Sequence, residues 1–186
     1  MKSIEELSAE HEGIKSALEI LEKMCARLER GEKVPTAHLQ DMAAFIKEFA
    51  DRCHHAKEET VLFPEMEKAG VPREGGPIGA MLSEHEAGRS YVKGLVSGIT
   101  AYEAGAKGAA GTILENARGY IELLREHISK EDSVLYPMAE KCLSTETDAA
   151  MLARFEKIEI EEIGGGRHEE FHAMLEKMEN EYLNRK

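Results

Sequence analysis

Cations are scarce in this chain: 24 Lys plus Arg stand against 36 Asp plus Glu, a formal charge of −12. Nucleic acids and anionic lipid surfaces are held mainly by cations, so both are excluded as partners. Cysteine is scarce too. Cys25, Cys53 and Cys142 are odd in number and at no zinc-ligand spacing, which excludes a disulfide framework and a zinc finger. Long apolar runs are missing: no window approaches the roughly 18 residues of a membrane-spanning helix. The opening MKSIEELSAEHEGI lacks the apolar stretch of a secretory leader. The expectation is a soluble cytoplasmic protein. Tryptophan is absent, aromatics make 5%, and β-branched runs are few, so the Ala-, Leu- and acid-rich composition favours helix over strand. Hydrophobic residues at 42% suffice for a sizeable core.

What is present is helical periodicity. Ile4, Leu7, Ile14, Leu18, Leu21, Cys25 and Leu28 recur at spacings of three and four, predicting a first helix with a Ser3–Glu6 capping box and a stop at Gly31. A second helix starts near Pro35 and runs to about Gly70, with Pro64 expected to kink or shorten its last turns. A third starts at Pro77 and faces inward through Ile78, Met81, Leu82, Val92, Leu95, Val96, Ile99 and Tyr102. A fourth follows AGAKGAAG and turns Ile113, Ala117, Tyr120, Leu124, Val134 and Met138 inward. Short connections make neighbours antiparallel, so the fold class is all-α: an up-down four-helix bundle over residues 1–143. Residues 144–186 read as a C-terminal helical extension of two short helices around GGG, the first lined by Ala149, Leu152, Phe155 and Ile158.

The chain also repeats itself. HHAKEETVLFP from His54 matches HISKEDSVLYP from His127, and EHEAGRS around His85 echoes EHEGIKS around His11. It reads as a doubled helical hairpin whose halves bring similar chemistry to one site.

That chemistry lies where leucine belongs. His11, His54 with Glu58, His85, and His127 with Glu131 all continue the inward stripes. A buried carboxylate is expensive unless a positive charge opposes it, and two facing carboxylates are worse. The stripes offer few cations, Arg89 chief among them, so a metal pair is the direct remedy. At i and i+4 an imidazole and a carboxylate share one helix face, so each pair can give one metal a nitrogen and reach a second with the carboxylate. Imidazole with carboxylate suits iron, manganese or zinc, and two iron ions suit it best.

EHEGI, HHAKEETVLFP, EHEAGR and REHISKEDSVLYP together resemble the hemerythrin-like cation-binding domain, with its H…HxxxE…H…HxxxE pattern, over about residues 4–142. The resemblance implies a non-haem diiron centre, oxo- or hydroxo-bridged, in which Glu58 and Glu131 bridge and His11, His54, His85 and His127 are terminal ligands. Oxygen-carrying hemerythrins have a further His four residues after the helix-three one, whereas Arg89 stands here. The departure implies an open or water-filled position, and reactivity with dioxygen, peroxide or nitric oxide in place of reversible carriage.

Two candidates for the missing nitrogen stand out. His55 flanks Glu58 on the side away from His54, and related iron sensors ligate through the residue after the helix-two His; the alternative is an outer or solvent-side imidazole. His168 and His172 spell HEEFH, formally a zinc-protease motif, but no third ligand is evident. They are either part of a lid that returns a histidine to the site or a surface pair. Cys53 and Tyr120 read as core packing with a secondary redox reading, and His38 as exposed. Three functions remain in view: a module that binds or senses dioxygen, nitric oxide or iron and redox status; a diiron enzyme reducing nitric oxide or peroxide, or repairing iron–sulfur centres; and a metal-free interaction bundle, which the buried acids disfavour. An electron-transfer partner is left open. A ferritin-like oxidase is disfavoured because only Glu169 to His172 has the Glu-x-x-His spacing.

Overall fold

The computed structural model describes residues 1–164 and 166–183. Gly165, within the predicted GGG turn, and residues 184–186, at the end of the predicted extension, lie outside them. Helix α1 spans Lys2–Glu29, and the second rod of the bundle is assembled from α2 (Thr36–Phe45), π-helical turns at Ile46–His55 and Glu58–Leu62, and α3 (Phe63–Lys68). Helix α4 spans Pro77–Glu103. The fourth rod joins α5 (Ala109–Lys130), a π-helical turn Glu131–Leu135 and α6 (Tyr136–Cys142). The extension contributes α7 (Thr145–Ile158), a π-helical turn Glu159–Ile163 and α8 (Arg167–Tyr182). No strand occurs among the described residues, and no helix there is long and apolar enough to cross a membrane.

Ion pairs fix the helix directions. Along α1, Lys15, Glu22 and Glu29 meet Asp132, Arg125 and Arg118 in turn, so α1 and the fourth rod run antiparallel. Glu59 with Arg89 and Gln40 with Glu103 give the same relation between the second rod and α4. Helices α4 and α5 approach closely at Gly98, where a Cβ would stand 3.0 Å from the Ile113 backbone nitrogen. Gly31, at φ 73°, closes α1 as the sequence predicts.

Two apolar clusters fill the bundle. The larger joins Ile14–Leu28 side chains of α1 to Phe45, Phe49, Leu95, Ile113 and Leu124, and takes in Phe171, Leu175 and Met178 of α8. The smaller joins Leu7, Val61, Phe63, Ile78, Met81 and Tyr136 to Met151 and Phe155 of α7. The polar stripe residues therefore form a layer between two cores.

Other expectations need correction. The π-helical turns shift the register of the inward face by widening the helix to an i→i+5 repeat. Val134 is 52% exposed while Leu135 and Tyr136 turn in; its counterpart Val61 is buried in the cluster that Met151 and Phe155 of α7 complete. Val96, at the edge of α4, is 42% exposed. Pro64 starts α3 directly after a π-helical turn, where its missing N–H has no intrahelical partner to lose, so the rod continues. Asp148, Met151 and Phe155 line α7, and Ala149 faces solvent. His38 is half-buried, its Nδ1 2.7 Å from the Tyr182 hydroxyl. The start of α1 is capped from the extension and not by a capping box: Asp148 accepts the Lys2 and Ser3 backbone N–H groups, each at 3.0 Å, and the Ser3 hydroxyl at 2.5 Å.

Phe155 is fully buried in the smaller cluster. Phe155→Ala is expected to lower unfolding free energy by about 3–5 kcal/mol, the usual range for a large core truncation, in a denaturant titration.

Candidate metal centre

Seven side chains named from the sequence converge between the two cores. His11, His54, Glu58 and Glu131 form one group whose donor atoms lie within 4.8 Å of one another. His55, Glu58, His85 and His127 form a second, also within 4.8 Å. All seven are buried, none more than 4% exposed, and Glu58 belongs to both groups.

The π-helical stretch Ile46–His55 explains how adjacent residues His54 and His55 both face inward. An α-helix turns consecutive side chains about 100° apart, and the wider π turn reduces that angle. His54 then stands 4.7 Å, ring to ring, from His11, while His55 stacks on His85 at 3.9 Å and 16°.

Behind the imidazoles lies a ring of carboxylates, and behind those a ring of cations. His11 Nδ1 is 2.7 Å from Asp132, which Lys15 also contacts. His54 Nδ1 is 2.8 Å from Glu10, contacted by Lys57. His85 Nδ1 is 2.7 Å from Glu59, contacted by Arg89, and His127 Nδ1 is 2.9 Å from Glu84, contacted by Lys130. An ionised carboxylate only accepts, so each Nδ1–H donates outward and each Nε2 is left facing inward. Those Nε2 atoms turn inward: His11 to Glu131 at 3.3 Å, His54 to Glu58 at 3.8 Å, His85 to Glu58 at 3.5 Å and His127 to Glu131 at 3.1 Å. Sequence reasoning missed this outer layer. Its signal was available: Glu10 and Glu84 each precede the stripe histidine, and Glu59 and Asp132 each follow the stripe glutamate, in step in both repeats.

The centre is electrostatically incomplete with protein atoms alone. Glu58 Oε2, both Glu131 carboxylate oxygens and His55 Nδ1 are buried without a hydrogen-bond partner. The Nε2 atoms of His85 and His127 face each other at 3.0 Å. Burial and the Glu131 charge push the Glu58 carboxyl well above its usual range. Burial acts the same way on Glu131, but His127 and His11, whose own pKa values are raised despite burial by the carboxylates around them, outweigh it as cations and hold that carboxyl well below. Burial and the neighbouring His85 keep His55 neutral. Paired divalent cations meet all of these demands, so the donor set fits metal.

Tyr136 was also missed. Its hydroxyl donates to Glu58 Oε1 at 2.8 Å, and its ring stacks on His11 at 5.3 Å and 7°. Phe63, at the matching place in the other repeat, stacks on His85 at 5.9 Å. A cavity of about 400 Å³ opens beside His55 and His85, walled by Ile46, Gly88, Val92 and Tyr120. Burial raises the Tyr120 hydroxyl above its ordinary range. Cys53 is fully buried, its thiol pushed up to about 12 by burial, as suits packing.

His168 and His172 do not join either group. Helix α8 turns Phe171, Leu175 and Met178 into the larger core, which leaves His172 exposed. His168 packs on Phe49 and lies with Glu10, Cys53 and Glu159, a third cluster of metal-binding residue types. There the fully buried Lys57 ammonium already binds Glu6, Glu10 and Glu159.

Fold and site together define an all-α, metal-cation-binding bundle. The family model described as Hemerythrin HHE cation binding domain matches residues 2–139, and the chain belongs to that family. The uncharacterized protein Rv1995 of Mycobacterium tuberculosis is 27% identical over 160 residues, covering 86% of this chain and 62% of that protein. The iron-sulfur cluster repair protein YtfE of Yersinia pestis is 31% identical over 140 residues, covering 72% of this chain and 62% of its own. The chain thus spans about 62% of the length of these curated relatives. No solved structure matches it.

Glu10 carries a pH signature. Although burial opposes ionisation, His54 and Lys57 lower its carboxyl from 4.5 to about 2. A depressed folded pKa contributes stability above the unfolded value, lost as pH falls through the folded one. Glu10→Gln is therefore expected to lower the melting temperature at pH 6, with the gap to wild type closing between pH 4.5 and pH 2.

Proposed function

We propose that this chain holds two iron ions, bridged by Glu58 and Glu131, and uses them to bind or sense a small ligand such as dioxygen or nitric oxide, or to report iron and redox status. His11 and His54 serve one ion; His55, His85 and His127 serve the other. The observation that carries the reading is the pair of buried donor groups sharing Glu58, with carboxylate oxygens that no protein group satisfies. Imidazole–carboxylate sets of this kind suit iron, which supplies Lewis acidity and one-electron redox chemistry when bound.

The protein's own residues have distinct tasks in this reading. The outer carboxylates fix each imidazole tautomer, so that Nε2 is offered to metal. The Tyr136 hydroxyl engages one Glu58 oxygen and leaves the other, Oε2, for metal. Phe63 and Tyr136 close the smaller-core side of the layer and exclude water there. The cavity beside His55 and His85 gives a small ligand its approach, and the His11–His54 side is shut off by α7, α8 and the buried Lys57.

A second reading, a diiron enzyme that reduces nitric oxide or peroxide or serves in iron–sulfur centre repair, is favoured by one observation. The YtfE relatives carry the repair function in their name. Location in the cytoplasm belongs to both readings.

Metal analysis after iron-replete expression is expected to give roughly two irons per chain, with near-ultraviolet charge-transfer absorption; zinc alone would overturn the reading. Glu131→Ala is expected to lose most of the metal and to lower the melting temperature by several degrees, because metal binding adds to folding stability. Mixing the diferrous protein with dioxygen, nitric oxide or peroxide separates the two functions: an adduct that reverses on degassing marks a sensor, and repeated turnover marks an enzyme.

A further inference from the structure

We infer that Arg89 is a positioning residue that compensates for the nitrogen its own position lacks, by holding His55 and His85 toward the shared carboxylate Glu58. The inference rests on the two-metal reading above. Arg89 stands one helical turn after His85 on α4 and reaches across to the second rod. Its Nε donates to Asp51 Oδ1 at 2.8 Å, one Nη to Glu59 Oε1 at 2.7 Å and the other to Glu86 Oε1 at 2.6 Å. Two of these acceptors are shared with imidazoles. Glu59 Oε1 is the oxygen that receives the His85 Nδ1 proton, and Asp51 Oδ1 lies 3.5 Å from His55 Nδ1. One planar cation thus stands behind two stacked rings.

The internal repeat supplies a control within the molecule. Lys15 occupies the place of Arg89 in the first half; it pairs with Glu12, as Arg89 does with Glu86, and backs one imidazole-bound carboxylate, Asp132, behind His11. Opposite Lys15, the places of Asp51 and His55 are taken by Leu124 and Ile128, both buried and apolar. Across the repeat, Asp51, His55 and Arg89 are replaced together by Leu124, Ile128 and Lys15. The physical reason is the fork. A lysine ammonium is a compact charge on a flexible stem that sets no angle between its partners, whereas the rigid guanidinium fork holds two carboxylates at fixed separation. The extra histidine, the carboxylate beside it and the arginine form one device, present only on the half that opens to the cavity.

Anaerobic titration of the apo protein with Fe(II), and with Co(II), whose visible absorption reports ligand number, tests this. Wild type is expected to take up two equivalents. Arg89→Met and Arg89→Lys are expected to keep one tight equivalent, with the other weakened about 10- to 100-fold and its Co(II) spectrum altered. Asp51→Asn should reproduce the effect. Two equivalents bound as tightly by Arg89→Met as by wild type would overturn the inference alone. A wild-type chain that takes up no second metal would overturn the two-metal reading and this inference with it. Should Arg89→Met fail to fold, Asp51→Asn decides, because it spares the guanidinium pairs with Glu59 and Glu86: weakened uptake supports the inference and unchanged uptake refutes it.

Discussion

The structure depends on the presence of two carboxylates, Glu58 and Glu131, in a fully buried layer with no water to screen them. Neither can ionise there without positive charge close by, and like charges at such range oppose each other strongly. The surrounding architecture answers that constraint in shells of alternating character: imidazoles with Nε2 inward, then carboxylates that hold their outer protons, then Lys15, Lys57, Arg89 and Lys130 against those carboxylates. Each shell makes the next one tolerable. The arrangement explains why a chain with an excess of acid places several of its cations near the core.

The apolar clusters on either side have a matching role. They exclude solvent from above and below the polar layer, which strengthens every interaction inside it. The smaller cluster relies on α7 for Met151 and Phe155, and Asp148 of the same helix caps α1 a few residues before His11. The segment beyond residue 139, outside the matched family region, is thus mechanically continuous with the layer.

Much of this was legible in the sequence, and what was not has identifiable physical causes. The helices, their antiparallel order, the internal repeat and the inward histidines and glutamates follow from 3.6-residue periodicity and matched motifs. Fixed periodicity puts both Val61 and Val134 inward; the π-helical turns widen both rods alike, yet only Val61 is covered, by the cluster that α7 completes, and Val134 is 52% exposed. The same widening brings His54 and His55 to one interior, a feature that a pattern of fixed period leaves ambiguous. Asp148 was unreadable for another reason. Its partners, Lys2 and Ser3, are nearly the whole chain away, and local rules see only local caps.

The doubled hairpin also bears on how such a molecule could arise. Two copies of a half-length chain associating about a twofold axis would be forced to present the same residue at equivalent places. Such a pair could not set Ile128 against His55, or Phe63 against Tyr136. Joining the halves in one polypeptide removes that obligation. Each half of the buried layer can then be changed by mutation without its counterpart changing too, and a layer of twins can acquire one sheltered side and one that opens to a cavity.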